Sequence, residues 1–144
     1  MYTMYRREVL TPTYPTVAAA RADIKGMLDR AQTSVPVTIR RDGYLTAVIG
    51  ADRLRELLLR SVPAKVRVGA DDDGTVYAVM DGRPLAGSGA SVAEALADLV
   101  DALREYADDW HDRLRFAPNH ADNWDLVQLI GLLTDTELTA WLSA

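Results

Sequence analysis

Cysteine is absent from this 144-residue chain. That excludes disulfides, thiol nucleophiles and cysteine-ligated zinc or iron–sulfur centres. It also agrees with a reducing compartment, and the expected location is the cytoplasm. Lysine occurs only at Lys25 and Lys65, so arginine carries almost all the positive charge. No apolar run approaches the roughly 20 residues of a membrane span. The first ten residues hold Arg6, Arg7 and Glu8 in place of the apolar stretch of a signal peptide. Glycine-rich phosphate loops and nucleophile elbows are missing. The Asp71–Asp73 run lacks the alternating ligands and distal glutamate of a calcium loop. The two histidines, His111 and His120, lie among Asp108, Asp109, Asp112 and Asp122, but their spacing fits no metal-ligand motif. The expectation is a protein with no catalytic residues, no metal and no cofactor.

What is present is a core-forming composition, 49% hydrophobic, divided into two halves of opposite charge. Residues 1–67 hold twelve of the sixteen basic and six of the twenty-one acidic side chains, a net of +6. Residues 68–144 hold the other four basic and fifteen acidic ones, a net of −11. One half is suited to phosphate and the other to a basic partner, although two ordinary solvated surfaces would also give such a split.

Pro12 and Pro15 favour an extended segment over 11–16. Thr16 then caps an amphipathic helix over 17–32, with Ala20, Ile24, Met27, Leu28 and Ala31 as its apolar stripe. Val35–Arg41 and Tyr44–Ile49 read as strands joined by the tight turn Asp42-Gly43. Asp52 is the expected cap of a second helix buried through Leu54, Leu57 and Leu58, and Pro63 closes the module. The expected domains are therefore 1–62 and 63–144.

In the second half, strands are expected at Lys65–Gly69 and Val76–Met80, with a third beginning at Leu85-Ala86. Ser91 and Glu94 form a capping box ahead of a long helix whose stripe runs Val92, Ala95, Leu96, Leu99, Val100, Leu103, Tyr106 and Trp110. Pro118-Asn119 breaks it. Asp122 or Asn123 caps the next helix, and Thr134 a last one with Leu138, Trp141 and Leu142. The fold class is α+β: a helix–hairpin–helix module, then a small sheet, a long helix and short C-terminal helices.

The first module buries too little to stand alone, so a homodimer or higher oligomer is expected. Its basic side chains fall on the first helix (Arg21, Lys25), at the strand end before the hairpin (Arg40, Arg41) and on the N-terminal arm (Arg6, Arg7). Such groups can neutralise phosphates, and arginine can read guanine edges. They would equally serve as a solvated surface.

The run Ala20-Arg21-Ala22-Asp23-Ile24, Leu28-Asp29-Arg30-Ala31, Pro36-Val37-Thr38-Ile39-Arg40-Arg41-Asp42-Gly43, Thr46-Ala47-Val48-Ile49 and Arg53-Leu54-Arg55-Glu56-Leu57-Leu58 resembles the Phd/YefM antitoxins over residues 14–60. The resemblance implies a dimeric α/β module that binds its own operator DNA, with the positions of Arg21 and Arg41 in contact with it. Arg40 stands where the family usually has threonine, and Tyr44 where it has a small or polar residue. The order strand–strand–strand–helix with Ser91-x-x-Glu94-Ala95-Leu96 and Ala102-Leu103-Arg104-Glu105-Tyr106 resembles the HicB antitoxins and the longer RelB-like antitoxins, which implies a RelE-type toxin as partner. The acidic, aromatic stretch around Tyr106, Asp109, Trp110 and Leu114, with Trp124 beyond it, is the candidate toxin-binding surface. The same aromatic side chains could instead pack into their own domain. A stand-alone transcriptional regulator without a toxin is the second reading, and a small enzyme around His111 and His120 the third.

Overall fold

The computed structural model describes residues 11–144, which divide into two compact units, one ending at Leu54 and the other running from Arg55 to Ala144. The division falls inside a helix, Ala51–Ser61.

The first unit starts with a two-residue strand, β1 (Thr13–Tyr14), where the two prolines impose extended backbone. It lies parallel to β2 (Val37–Arg41), with Thr13 opposite Thr38 and Tyr14 opposite Ile39. The buried Thr38 is satisfied here: its amide donates to Pro12 O at 2.9 Å and its hydroxyl lies 2.7 Å from that of Thr13. β2 pairs antiparallel with β3 (Tyr44–Val48), giving a sheet of order β1-β2-β3. The turn between them has positive φ at both Asp42 (47°) and Gly43 (80°). That is the mirror-image turn whose twist matches a two-residue hairpin, and glycine adopts it without a Cβ penalty.

The single helix expected over 17–32 is two helices, α1 (Val17–Ala22) and α2 (Ile24–Gln32). Asp23 breaks them with φ −125° and ψ 37°. Its carboxylate accepts from the Tyr14 hydroxyl at 2.6 Å, and Arg30 donates to that same hydroxyl at 2.7 Å. The tertiary bond holds Asp23 out of helical geometry, a conformation that aspartate tolerates well. It also raises the Tyr14 phenol above its ordinary pKa, because the carboxylate bonds only the protonated form; the nearby Arg30 opposes this and is outweighed. Thr16 caps α1 as expected, accepting from Ala19 N at 3.1 Å.

The core of this unit is thin. Ala20, Met27 and Val37 form its buried cluster, lined by half-buried Tyr14, Ile39 and Val48. β3 has no buried residue.

The helix Ala51–Ser61 (α3) begins two residues earlier than expected. Gly50 O accepts its first amides, so Asp52 sits inside the first turn rather than at the cap. Of the expected stripe Leu54, Leu57 and Leu58, only Leu58 is buried, Leu54 is half-buried and Leu57 is 51% exposed. Periodicity identifies an apolar face but not whether anything covers it.

In the second unit, β4 (Val66–Ala70), β5 (Val76–Met80) and β6 (Ala86–Gly89) make an antiparallel meander. The long helix α4 (Val92–Asp112) lies across β6 and β5. Ser91 caps it, accepting from Glu94 N at 3.2 Å, while the Glu94 carboxylate turns back to Ala90 N at 2.7 Å. Its inward face, Ala95, Leu96, Leu99, Val100, Leu103, Ala107 and Trp110, is buried. α5 (Trp124–Leu132) and α6 (Asp135–Leu142) close the core with Leu126, Val127, Leu129, Ile130, Leu138, Trp141 and Leu142. Trp141 Nε1 donates to Val62 O at 3.0 Å, pinning the chain after α3 to α6. Thr134 and Glu137 form a complete capping box on α6. Asn123 precedes α5 without capping it, because its amide is engaged elsewhere.

Candidate nucleic-acid interface and partner surface

Arg21 projects from the last turn of α1 and Arg41 from the end of β2. Twenty residues apart in sequence, they line one groove of about 340 Å³, whose other walls are Val17, Ala20, Ile24, Met27, Ile39 and Thr46. A second groove of about 450 Å³ holds Arg40 and Arg41 beside Pro15, Thr16, Val17, Asp42 and Gly43. The fold thus brings three of the six basic candidates to adjoining grooves. Arg41 stays solvated, with Asp42 at 3.7 Å. Lys25 is set differently: it is ion-paired with Asp29 at 2.7 Å, an exposed i,i+4 pair worth little. Arg6 and Arg7 lie outside the described residues.

The candidates in the acidic half separate into internal and external side chains. Trp110 is buried, and its Nε1 donates to His120 O at 2.9 Å. The Tyr106 hydroxyl accepts from Asn123 Nδ2 at 2.7 Å and lies 3.0 Å from His120 Nδ1. Arg83 extends the network by donating to Asn123 Oδ1 at 2.9 Å. Asp109 is half-buried, 3.6 Å from Arg113, and Leu114 is half-buried in a 3-10 turn. Trp124 faces solvent at the start of α5, 50% exposed. Among the described residues, no three His, Asp or Glu side chains are grouped to hold a metal ion.

Sequence reasoning missed Phe116, the chain's one phenylalanine, which is 74% exposed with the Arg115 guanidinium 4.6 Å over its ring. It falls outside every periodic stripe, and that position off the stripes was the available signal. The network Tyr106–His120–Asn123–Arg83 was also missed, since it joins residues from three separate segments.

The family model described as the antitoxin of a toxin–antitoxin system, RelE/RelB, PHD-like, matches residues 13–124. The chain belongs to this antitoxin family. The antitoxin is therefore not an enzyme, and membership implies a toxin partner. A crystal structure described as an antitoxin part of a proposed toxin/antitoxin system from Syntrophomonas wolfei subsp. wolfei superposes with a TM-score of 0.78 at 20% identity. The match covers 92% of the antitoxin and 96% of that chain, so the mixed α+β fold is shared across nearly the whole length. No curated protein matches. Among the described residues, no helix is long and apolar enough to cross a membrane.

Proposed function

We propose that the first unit is a Phd/YefM-type module that binds operator DNA as a homodimer, and that the acidic unit neutralises a RelE-type toxin in the cytoplasm. The observation that carries the DNA reading is the convergence of Arg21 and Arg41 on one groove. Phosphate contacts supply most of the affinity of such an interface, and guanidinium groups add base readout. The thin core of the first unit and the uncovered strand β3 support association with a second copy, which would double the number of arginines presented to the duplex.

The test is a gel shift on the DNA upstream of the antitoxin's own gene, across a series of salt concentrations. If each arginine neutralises one phosphate per protomer, Arg21→Ala with Arg41→Ala removes four contacts from a dimer. The slope of log K against log salt then falls by about 3–4. Specific binding that collapses in the double variant supports the reading. Failure of the wild type to bind, alone or with any neighbouring small basic protein added, refutes autoregulation. Operator binding that no neighbouring protein alters, with no toxin bound, would identify a stand-alone regulator instead.

A further inference from the structure

The connection between α4 and α5 is tied down by a set of side-chain hydrogen bonds. Trp110 Nε1 holds the His120 carbonyl, Tyr106 holds the His120 ring and Asn123, and Arg83 holds Asn123 from the far side. Its two 3-10 turns, Leu114–Phe116 and Ala121–Asn123, pack on each other. On this fixed frame Phe116 is 74% exposed and Trp124 50% exposed. Large rings held in water by an ordered backbone leave their apolar surface unused within the chain, and Trp and Phe are enriched where proteins meet.

The surroundings favour one kind of partner. Residues 101–125 carry seven acidic and three basic side chains, a net of −4. All three arginines are engaged at home: Arg104 with the end of α5 and Asp135, Arg113 with Asp109, and Arg115 over Phe116. Asp108, Asp112 and Asp122 are exposed. We infer that Phe116 and Trp124 are the apolar anchors of the toxin-docking surface, rimmed by these aspartates for a basic partner. This rests on the reading that the acidic unit holds the toxin, and it places the contact on the α4–α5 connection rather than on the buried Trp110. The frame is formed before binding, so little ordering entropy opposes the contact. The aspartates chiefly speed association and make it salt-sensitive.

The experiment measures binding of the full-length antitoxin to any small basic protein encoded beside it, by titration calorimetry and by stopped flow at two salt concentrations. Phe116→Ala with Trp124→Ala weakens binding by at least about tenfold, mainly through faster dissociation, with the melting temperature unchanged. Asp108→Asn with Asp112→Asn and Asp122→Asn slows association and flattens its salt dependence. Wild type that binds while the aromatic double variant binds within twofold overturns the docking surface and leaves the toxin reading standing. Wild type that does not bind removes that reading, and the surface with it. A self-association of the antitoxin, seen by sedimentation and abolished by the double variant, would assign the rings to a second copy and overturn the proposal.

Discussion

Gly87 sits in β6 directly beneath α4. A Cβ there would fall 2.3 Å from Leu99 N, 2.4 Å from Ala95 O and 2.9 Å from Asp98 C. All three are backbone atoms, so no side chain can rotate away. To restore ordinary contact near 3.4 Å, the helix would have to lift by about 1 Å, although its inward residues Ala95, Leu99 and Leu103 are fully buried. Overpacking a close-packed interior costs typically 1–3 kcal/mol, and an unyielding backbone places Gly87→Ala near the top, at about 3 kcal/mol. For a unit of this size that lowers the melting temperature by roughly 12–24 °C. Gly131 is the internal control. It lies within α5, and a Cβ there meets nothing within 4 Å. Gly131→Ala therefore stabilises by up to about 1 kcal/mol through helix propensity alone. Both variants are followed by circular dichroism during heating and by urea titration. Opposite signs for two Gly→Ala changes identify helix–strand approach as the cause. A Gly87→Ala protein melting within 2–3 °C of wild type, by about the precision of the scan, would refute it.

Two further outcomes concern polar contacts. Arg104 donates to Ile130 O and Leu133 O, the free carbonyls at the end of α5, and to Asp135. Arg104→Met keeps the stem but orphans those carbonyls, and should cost about 2 kcal/mol in urea unfolding; no loss would mean that water replaces the guanidinium fully. Tyr14 has its folded pKa raised by the bond to Asp23. A group raised in the folded state stabilises it below the unfolded pKa of about 10 and loses that contribution as pH climbs through the folded value. Tyrosine ring resonances assigned with Tyr14→Phe should show Tyr14 titrating above the free phenol, and titration at or below the free value would contradict the bond.

The features legible in the sequence were the local ones. Asp42-Gly43 determines its own turn, and Ser91 and Thr134 find their capping partners three residues on. The break at Asp23 was hidden because its cause is Tyr14, nine residues upstream, brought back by the strand pairing of β1. The burial of α3 was misjudged for a related reason: Leu57 and Leu58 are adjacent and equally apolar, and only the packing around each decides that one is buried and the other open. At the candidate sites, the pairing of Arg21 with Arg41 was anticipated from resemblance, while their shared apolar groove depends on the crossover from α1 to β2. Trp110 and Trp124 were both candidates for the partner surface, although only Trp110 continued an apolar stripe. One follows the helical stripe into the core; the other begins a helix after a turn and faces solvent.

Burial is divided very unevenly between the two units. Of the described buried hydrophobic residues, only Ala20, Met27, Ala31 and Val37 belong to the first unit, and the other twenty-one to the second. The acidic unit has a closed core of its own, with a helix seated on a sheet and sealed by two more helices. The basic unit keeps Val17, Ile24, Leu28 and Leu45 in water, and Val17 and Ile24 line the same groove as Arg21 and Arg41. Covering such side chains yields about 25 cal/mol per Å², a gain the first unit does not obtain from its own described residues. On the proposed reading, a second copy supplies the cover and a second pair of arginines in one step. Operator affinity would then depend on self-association, because a single protomer presents too few phosphate contacts to bind well at physiological salt.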